Sequence, residues 1–485
     1  MAADNKKINV FGWASTAWLG GGSGSGGVSG VNTEFIEYAY KAINEIDPHI
    51  LKMNTLNLVY EGMFAGYNYV MELRRKYDCN MPWILLFDPT SACNLHCKGC
   101  WRSTLGPYPT DRVVRTFPDS LTPVFVNHVS RHGSRYPAGS YFTLLMKRAL
   151  DRADSLNTIT TLGRRLLAEV DAVVASSEGR WGQLDSIGEA EHRGIAARLY
   201  RACPQLLDSA RVVALSSSSP RSVMSMYSFT HQLSKMARHI DITAMSGERF
   251  SPLMRNFDLD EEYKAYRKDS SYLNTYGRFL AKNVTIDPLL RVLGENYPLD
   301  YDEAQNLAMA EYYVMAGMDA MGQESDPSAY FTLKEYRQLW SVYNFREYLL
   351  YSANTLSSRP AEIAAPLLLD LVQTADSVVS GKLHAAAKLR FGHAETMMPL
   401  LALMRVPGCS YLTNYFDTVA DNWHAYATVP MACNLQMTLF RSGSGRIYVR
   451  VDLNERPVRL LPGQTSDYVL WDELRVHLLE LLPVE

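Results

Sequence analysis

Short β-branched runs alternate along the chain with longer stretches in which apolar residues return at helical spacing. Val124-Phe-Val-Asn-His-Val129 is too short for most helices and rich in β-branched side chains, so it predicts a strand. Ala210-Arg-Val-Val-Ala-Leu-Ser216 and His384-Ala-Ala-Ala-Lys-Leu-Arg-Phe391 predict two more. Long helical stretches lie between and around them, clearest over residues 333–350 and 361–379. Strands separated by helices predict an α/β sheet flanked by helices, with a helical cap inserted over about residues 230–359. Nearer the N-terminus, Phe35, Tyr38, Ala39, Ala42 and Ile43, then Leu56, Val59, Tyr60 and Met63, follow a helical period and predict two amphipathic helices. Trp83-Ile-Leu-Leu-Phe-Asp88 then reads as a short buried strand running into a cysteine loop. Residues 1–31 hold the run Gly20-Gly-Gly-Ser-Gly-Ser-Gly-Gly-Val-Ser-Gly30, which tolerates almost any dihedral and lacks the Lys-Ser/Thr ending of a phosphate loop; it predicts a flexible arm.

Composition narrows the class. Of 485 residues, 47% are hydrophobic and 20% charged, which excludes a disordered, collagen-like or coiled-coil chain. Forty-eight basic against fifty-one acidic side chains leave a net charge of -3, so the molecule as a whole offers no attraction for nucleic acid or an anionic membrane. No apolar run approaches the roughly 20 residues that span a bilayer. Lys6 and Lys7 are followed by Gly- and Ser-rich sequence where a secretory signal would place its apolar stretch, so no export signal is expected and cellular location is left open. The seven cysteines are an odd number, three of them (Cys93, Cys97, Cys100) in one short loop, which does not describe a disulfide scaffold. A bridge between Cys409 and Cys433 is left open by spacing alone.

Each predicted strand is followed by an unusual polar cluster, and ligands of open α/β sheets bind outside the carboxyl ends of strands. The first cluster is Arg131-His-Gly-Ser-Arg-Tyr-Pro137, in which two forked guanidiniums bracket a histidine and Gly133 lets the backbone turn beside a ligand. The second is Ser216-Ser-Ser-Ser-Pro-Arg221, bringing one more guanidinium. The third is Gly392-His-Ala-Glu395, where a histidine and a carboxylate two apart share one face of an extended chain. Alone, the first is more often a surface turn than a catalytic site, His393 more often a hydrogen-bonded core histidine than a catalyst, and Arg221 reads equally as a solvated side chain. Together they are the parts of a phosphate pocket.

Arg131-His132-Gly133-Ser134-Arg135-Tyr136-Pro137 resembles the RHGxRxP signature of the histidine acid phosphatases, and His393-Ala394-Glu395 resembles the HAE variant of their second motif. That variant is typical of the multiple inositol polyphosphate phosphatase branch, which includes phytases. Ser216-Ser-Ser-Ser-Pro-Arg-Ser-Val-Met-Ser225 and Ser251-Pro-Leu-Met-Arg-Asn-Phe-Asp258 are also similar to that branch, and the resemblance spans about residues 103–485. It implies a histidine phosphatase-like sheet with a helical cap and a phosphorylated small-molecule substrate, inositol polyphosphates such as phytate. It further implies that His132 is the nucleophile of a phosphohistidine mechanism, Glu395 the proton donor and water activator, and Arg131, Arg135, Arg221 and His393 the phosphate holders. No metal or other cofactor is required. A substrate with several phosphates needs further cations, for which Lys147, Arg148, Arg249, Arg255, Lys264, Arg267 and Lys268 are candidates.

Cys93-Asn-Leu-His-Cys97-Lys-Gly-Cys100 has the CxxxCxxC spacing of radical S-adenosylmethionine enzymes, whose three thiolates ligate a four-iron cluster. Residues 32–102 thus resemble the N-terminal fragment of such a protein. The resemblance stops near Trp101, since neither the remaining βα units nor a Gly-Gly-Glu-like segment follows. An iron-sulfur cluster on Cys93, Cys97 and Cys100, zinc on the same thiolates with His96, and free thiols are the alternatives, free thiols being preferred. The competing functions are accordingly an iron-sulfur radical enzyme and a non-catalytic inositol-phosphate binding module.

Overall fold

The computed structural model describes residues 115–483. The predicted flexible arm, the helices and strand of residues 32–102, and Cys93, Cys97 and Cys100 lie outside them.

A single mixed sheet has the strand order β3-β2-β4-β1-β5-β6-β7, with β8 also paired to β6. The strands are β1 (Leu121–Arg131), β2 (Arg211–Ser216), β3 (Asp241–Ser246), β4 (Ala387–Gly392), β5 (Asn434–Ser442), β6 (Ile447–Leu453), β7 (Arg456–Pro457) and β8 (Val469–Leu470). Strands β3, β2, β4 and β1 are parallel; β5 and β6 run antiparallel beyond β1. The expected α/β sheet flanked by helices is therefore present, and its three predicted strands are β1, β2 and β4. The last begins at Ala387, three residues later than His384.

Successive side chains of a strand point to opposite faces, and β1 sorts its residues accordingly. Phe125 and Val129 join one apolar core, while Val126 joins the other. β4 does likewise. Ala387, Leu389 and Phe391 pack into the smaller core. Lys388 and Arg390 point the other way, where Asp370 receives both, and Arg390 also donates to Asn127 of β1 at 2.5 Å and to Thr374. This pairing satisfies a fully buried guanidinium, whose isolated burial would be strongly unfavourable.

The helices used below are α1 (Tyr141–Ser155), α2 (Thr161–Ser177), α3 (Ser186–Ala202), α4 (Pro220–Met236), α5 (Ser270–Asn283), α6 (Tyr301–Met318), α7 (Leu333–Tyr351), α8 (Ala365–Val379) and α9 (Ala394–Leu403). α7 starts where the sequence signals it. Thr332 accepts from the Glu335 backbone N–H and the Glu335 carboxylate accepts from the Thr332 N–H, a reciprocal cap. The stretch 361–379 divides into a short turn over Arg359–Glu362 and α8, whose Pro366 takes an early position where its missing N–H is harmless.

One expected boundary is corrected, and one open question about the cysteines is answered. The cap does not begin at residue 230: α4 continues to Met236, and β3 follows as the edge strand on β2. Helical structure resumes after Ser246. Cys409 and Cys433 are not bridged; with Cys203 they are buried free thiols. Among the described residues no helix is long and apolar enough to cross a membrane.

Candidate active site

Three parallel neighbours, β2, β4 and β1, end at the same level of the sheet. Arg131 pairs with Gly392, and Ser216 pairs with Phe391. The chain then leaves each strand still tied to its neighbour: the His132 N–H donates to the Gly392 carbonyl at 3.0 Å, and the Ser217 N–H donates to the Phe391 carbonyl at 3.1 Å. With strands about 4.8 Å apart, residues distant in sequence emerge side by side. His132, Ser217 and His393 meet there, and the two imidazole centroids are 5.6 Å apart.

The loop after β1 is held from beneath by α3. Glu191 accepts from the Ser134 N–H at 2.9 Å and from the Ser134 hydroxyl at 2.6 Å. The Gly133 N–H donates to Ser225 of α4 at 3.1 Å. Gly133 is required for close approach: a Cβ there would lie 2.5 Å from the Gly188 carbonyl oxygen. The His132 ring presents Nδ1 to the Gly133 carbonyl at 2.8 Å. A carbonyl only accepts, so Nδ1 carries the hydrogen and Nε2 keeps the lone pair. Burial holds the His132 pKa well below its ordinary value, reinforced by Arg131, Arg135, Arg221 and His393.

His393 is held by groups from three other places in the chain. Ser217 Oγ lies 2.9 Å from Nε2, the Arg255 guanidinium is 3.2 Å from Nε2, and Arg221 is 3.4 Å from Nδ1. Burial, then Arg221 and Arg255, push its pKa down to about 2. The arginines are themselves crowded. Arg135 is lowered to about 10 by burial first and then by Arg131 and Arg221. Arg131 donates to the Val429 carbonyl and Arg135 to the Tyr136 carbonyl. The Nε atoms of Arg131, Arg135 and Arg221 are buried and meet no protein acceptor. Such a set of preoriented donors is suited to a tetrahedral oxyanion.

Glu395 is not on extended chain as the sequence led us to expect. His393 is extended, but Ala394 opens α9, so Glu395 stands in the first helical turn and its relation to His393 is set by the helix start. It acts electrostatically on Arg135 and Arg221. α7 supplies a wall that sequence reasoning missed. Burial, with Glu395 adding to it, pushes the Glu347 carboxyl up to about 7, against the opposing pull of Arg346 and Arg131. Burial, then Glu347, pushes the Tyr343 hydroxyl, one turn earlier, well above its ordinary value, with Arg131 opposing.

Of the seven outer cations, only Arg255 is shown touching a pocket side chain. It also pairs with Asp258 at 2.5 Å. Lys147 is engaged by Asp171 and Asp151, and Lys264 by Glu261, so their charges meet protein carboxylates first. Arg249 lies over Phe250 and Arg267 over Tyr263. Arg148 and Lys268 are exposed. Glu191 and Ser217 were also missed; a buried acid in a helix and one serine among four carry no local signal. Among the described residues, no group of three or more His, Cys, Asp or Glu side chains is arranged to hold a metal ion.

Four parallel strands of a mixed sheet, with an arginine-flanked histidine at their carboxyl edge, give the arrangement of an α/β phosphatase. The chain belongs to the histidine phosphatase superfamily (branch 2), whose profile matches residues 124–454. It is 24% identical over 384 residues to multiple inositol polyphosphate phosphatase 1 of Gallus gallus, covering 73% of this chain and 80% of that protein. The fold is shared with the Bifidobacterium longum multiple inositol polyphosphate phosphatase solved with inositol hexasulfate: TM-score 0.64, 18% identity, 76% of this chain and 94% of that one. The phytase of D. castellii superimposes with a TM-score of 0.57 at 14% identity, over 76% of this chain and 82% of that one. The protein is a histidine acid phosphatase, a phosphomonoester hydrolase, in agreement with the resemblance drawn from its motifs.

Proposed function

We propose that the protein hydrolyses inositol polyphosphates such as phytate through a phosphohistidine intermediate on His132. The observation that carries this reading is the set of buried Nε donors on Arg131, Arg135 and Arg221 that no protein acceptor meets. A buried unpaired donor costs about 1–3 kcal/mol, and phosphate oxygens would relieve it. His132 Nε2 attacks phosphorus; the N–P bond forms as the bond to the inositol oxygen breaks, and Glu395 gives that oxygen its proton. The Glu395 carboxylate then takes a proton from water, whose oxygen displaces His132 and releases inorganic phosphate. His393 and the three arginines stabilise charge on the equatorial oxygens throughout. Arg255 adds a fourth guanidinium, which favours a substrate bearing more than one phosphate.

The test is phosphate release from phytate by the unaltered protein and by His132→Ala, each with and without chelator. The unaltered protein is expected to release phosphate in both conditions, and His132→Ala to lose at least roughly a thousandfold in kcat/KM. Turnover by His132→Ala close to that of the unaltered protein would remove the assignment, and tight phytate binding without release would make the chain a binding module.

A further inference from the structure

The four parallel strands end on nearly one register line, and the row of residues just beyond it reaches farther than the two histidines. Ser130 of β1 and Ser216 of β2 both pair with Phe391 of β4, and Ser216 pairs in turn with Ser246 of β3. His132, His393, Ser218 and Glu248 each stand two residues past one of these positions. The row therefore runs from the nucleophile to the edge strand, where it ends on a carboxylate. Charge alone does not explain that group, because beside an anion pocket it repels the substrate.

Both of its oxygens are engaged. Oε1 accepts from the Ser218 hydroxyl at 2.5 Å and Oε2 from the Ser251 hydroxyl at 2.9 Å. Ser218 first, then Ser251, hold the Glu248 carboxyl below its ordinary range, so it accepts as a carboxylate, the stronger form of acceptor. Gly247, with φ of +125°, makes the bend by which the chain leaves β3 toward this contact.

The two serines lie on the two segments that hold His393. Ser218 belongs to the loop after β2, whose Ser217 is 2.9 Å from His393 Nε2. Ser251 opens the one-turn helix Ser251–Met254, and the Arg255 N–H at its far end donates to the Ser251 carbonyl at 2.8 Å. The Arg255 guanidinium reaches the same Nε2 at 3.2 Å. The far end of that turn is tied to α9. Thr396 donates to the Met254 carbonyl at 2.6 Å and accepts from the His393 N–H at 3.1 Å. Glu248, itself exposed, secures the near end and joins it to the serine loop.

We propose that Glu248 is a positioning residue: its carboxylate clamps the loop after β2 to the Ser251–Met254 turn and so fixes Ser217 and Arg255 against His393. The inference rests on His393 as a holder of the transferred phosphate, and it extends the working parts of the site to β3. His393 acts on charge that develops during transfer, so loosening it slows turnover more than it weakens binding.

The experiment measures kcat and KM for phosphate release from phytate in the unaltered protein and three variants, each checked for folding by a melting curve. Glu248→Ala is expected to lower kcat roughly tenfold with KM moving less than about twofold, the pattern of a lost transition-state interaction. Ser218→Ala/Ser251→Ala keeps the charge and removes the clamp, and should fall as far. The carboxamide of Glu248→Gln can accept from one serine and donate to the other, so kcat should stay within roughly threefold of the unaltered protein. Unchanged kcat in Glu248→Ala or in the double serine variant overturns the proposal, as does a loss in Glu248→Gln equal to that in Glu248→Ala. Those results leave phosphate release by the unaltered protein intact; its absence would sink the phosphohistidine reading and this inference with it.

Discussion

His132 and His393 stay neutral in a range where an ordinary histidine takes up a proton. Both are held below 6.5 by burial first and by the surrounding guanidiniums second. A nucleophilic imidazole must be unprotonated, so the sign is clear: lowering the pH through 6.5 does not switch the nucleophile off. We expect kcat/KM to show no histidine-type decline between pH 6.5 and 5 in a pH–rate profile. A fall of one decade per pH unit starting near 6.5 would contradict the role given to the surrounding arginines. This much was legible in the sequence, because Arg131, His132 and Arg135 are neighbours within one loop. Ser217 and Glu191 were not legible, since their contacts with His393 and Ser134 exist only after β2, β4 and α3 have packed. Arg255 was named among seven cations, yet nothing local separated it from Lys264 or Arg267. Its contact with His393 is made across 138 residues.

Elements were legible where pattern and caps agreed, as at α7, where Thr332 and Glu335 mark the start. The β5–β6 hairpin was overlooked although its turn, Gly443-Ser-Gly445 between two β-rich runs, was the available signal. β3 was assigned to the cap because Asp241-Ile-Thr-Ala-Met-Ser246 is a half-exposed edge strand with little apolar character. Within the helical region, α6 carries a feature that no periodicity reveals. Glu311 is fully buried and neither oxygen meets a partner. Burial pushes its pKa up to about 8, aided by Glu335 and opposed by Arg291. For a carboxyl raised in the folded state, the folded protein holds its proton more tightly than the unfolded chain. Stability is therefore fully present below the unfolded pKa near 4.5 and is lost as pH rises toward 8. Glu311→Gln removes this loss while leaving an uncharged group of the same shape. In denaturant titrations the variant should exceed the unaltered protein by roughly 4 kcal/mol at pH 8 and by almost nothing at pH 4.5. Equal differences at the two pH values would show that Glu311 finds a partner in solution.

Across the whole molecule, buried histidines and buried carboxyls pull stability in opposite directions with pH. His128, His132, His192 and His393 are all held below 6.5, burial being the largest cause in each. His128 and His192 pack against Phe391 from the smaller core; neither ring nitrogen of His128 meets a partner, and at His192 the Arg131 backbone only partly offsets the effect of burial. Their depressed values mean that the unfolded chain gains protons first as pH falls through 6.5. Stability then declines continuously, for His192 until pH is near its folded value of about 3. Each histidine contributes a slope of about 1.4 kcal/mol per pH unit once the unfolded form is protonated. Glu311 and Glu347, raised to about 8 and about 7, act the other way and gain their protons in the folded state between pH 8 and 6. Their offset continues until the unfolded carboxyls take up protons near pH 4.5, below which nothing from them opposes the histidines further. The melting temperature should be highest near neutral pH and fall with increasing steepness below about pH 5. Four buried imidazoles at that slope compare with a total stability of about 5–15 kcal/mol. The acid limit of catalysis is then set by unfolding, with His132 still unprotonated. Bound phosphate, held by the arginines only when folded, should move that limit downward. Thermal scans from pH 4 to 8 with and without inorganic phosphate check this; a melting temperature flat from pH 7 to 4 would mean that these histidines are partnered in solution.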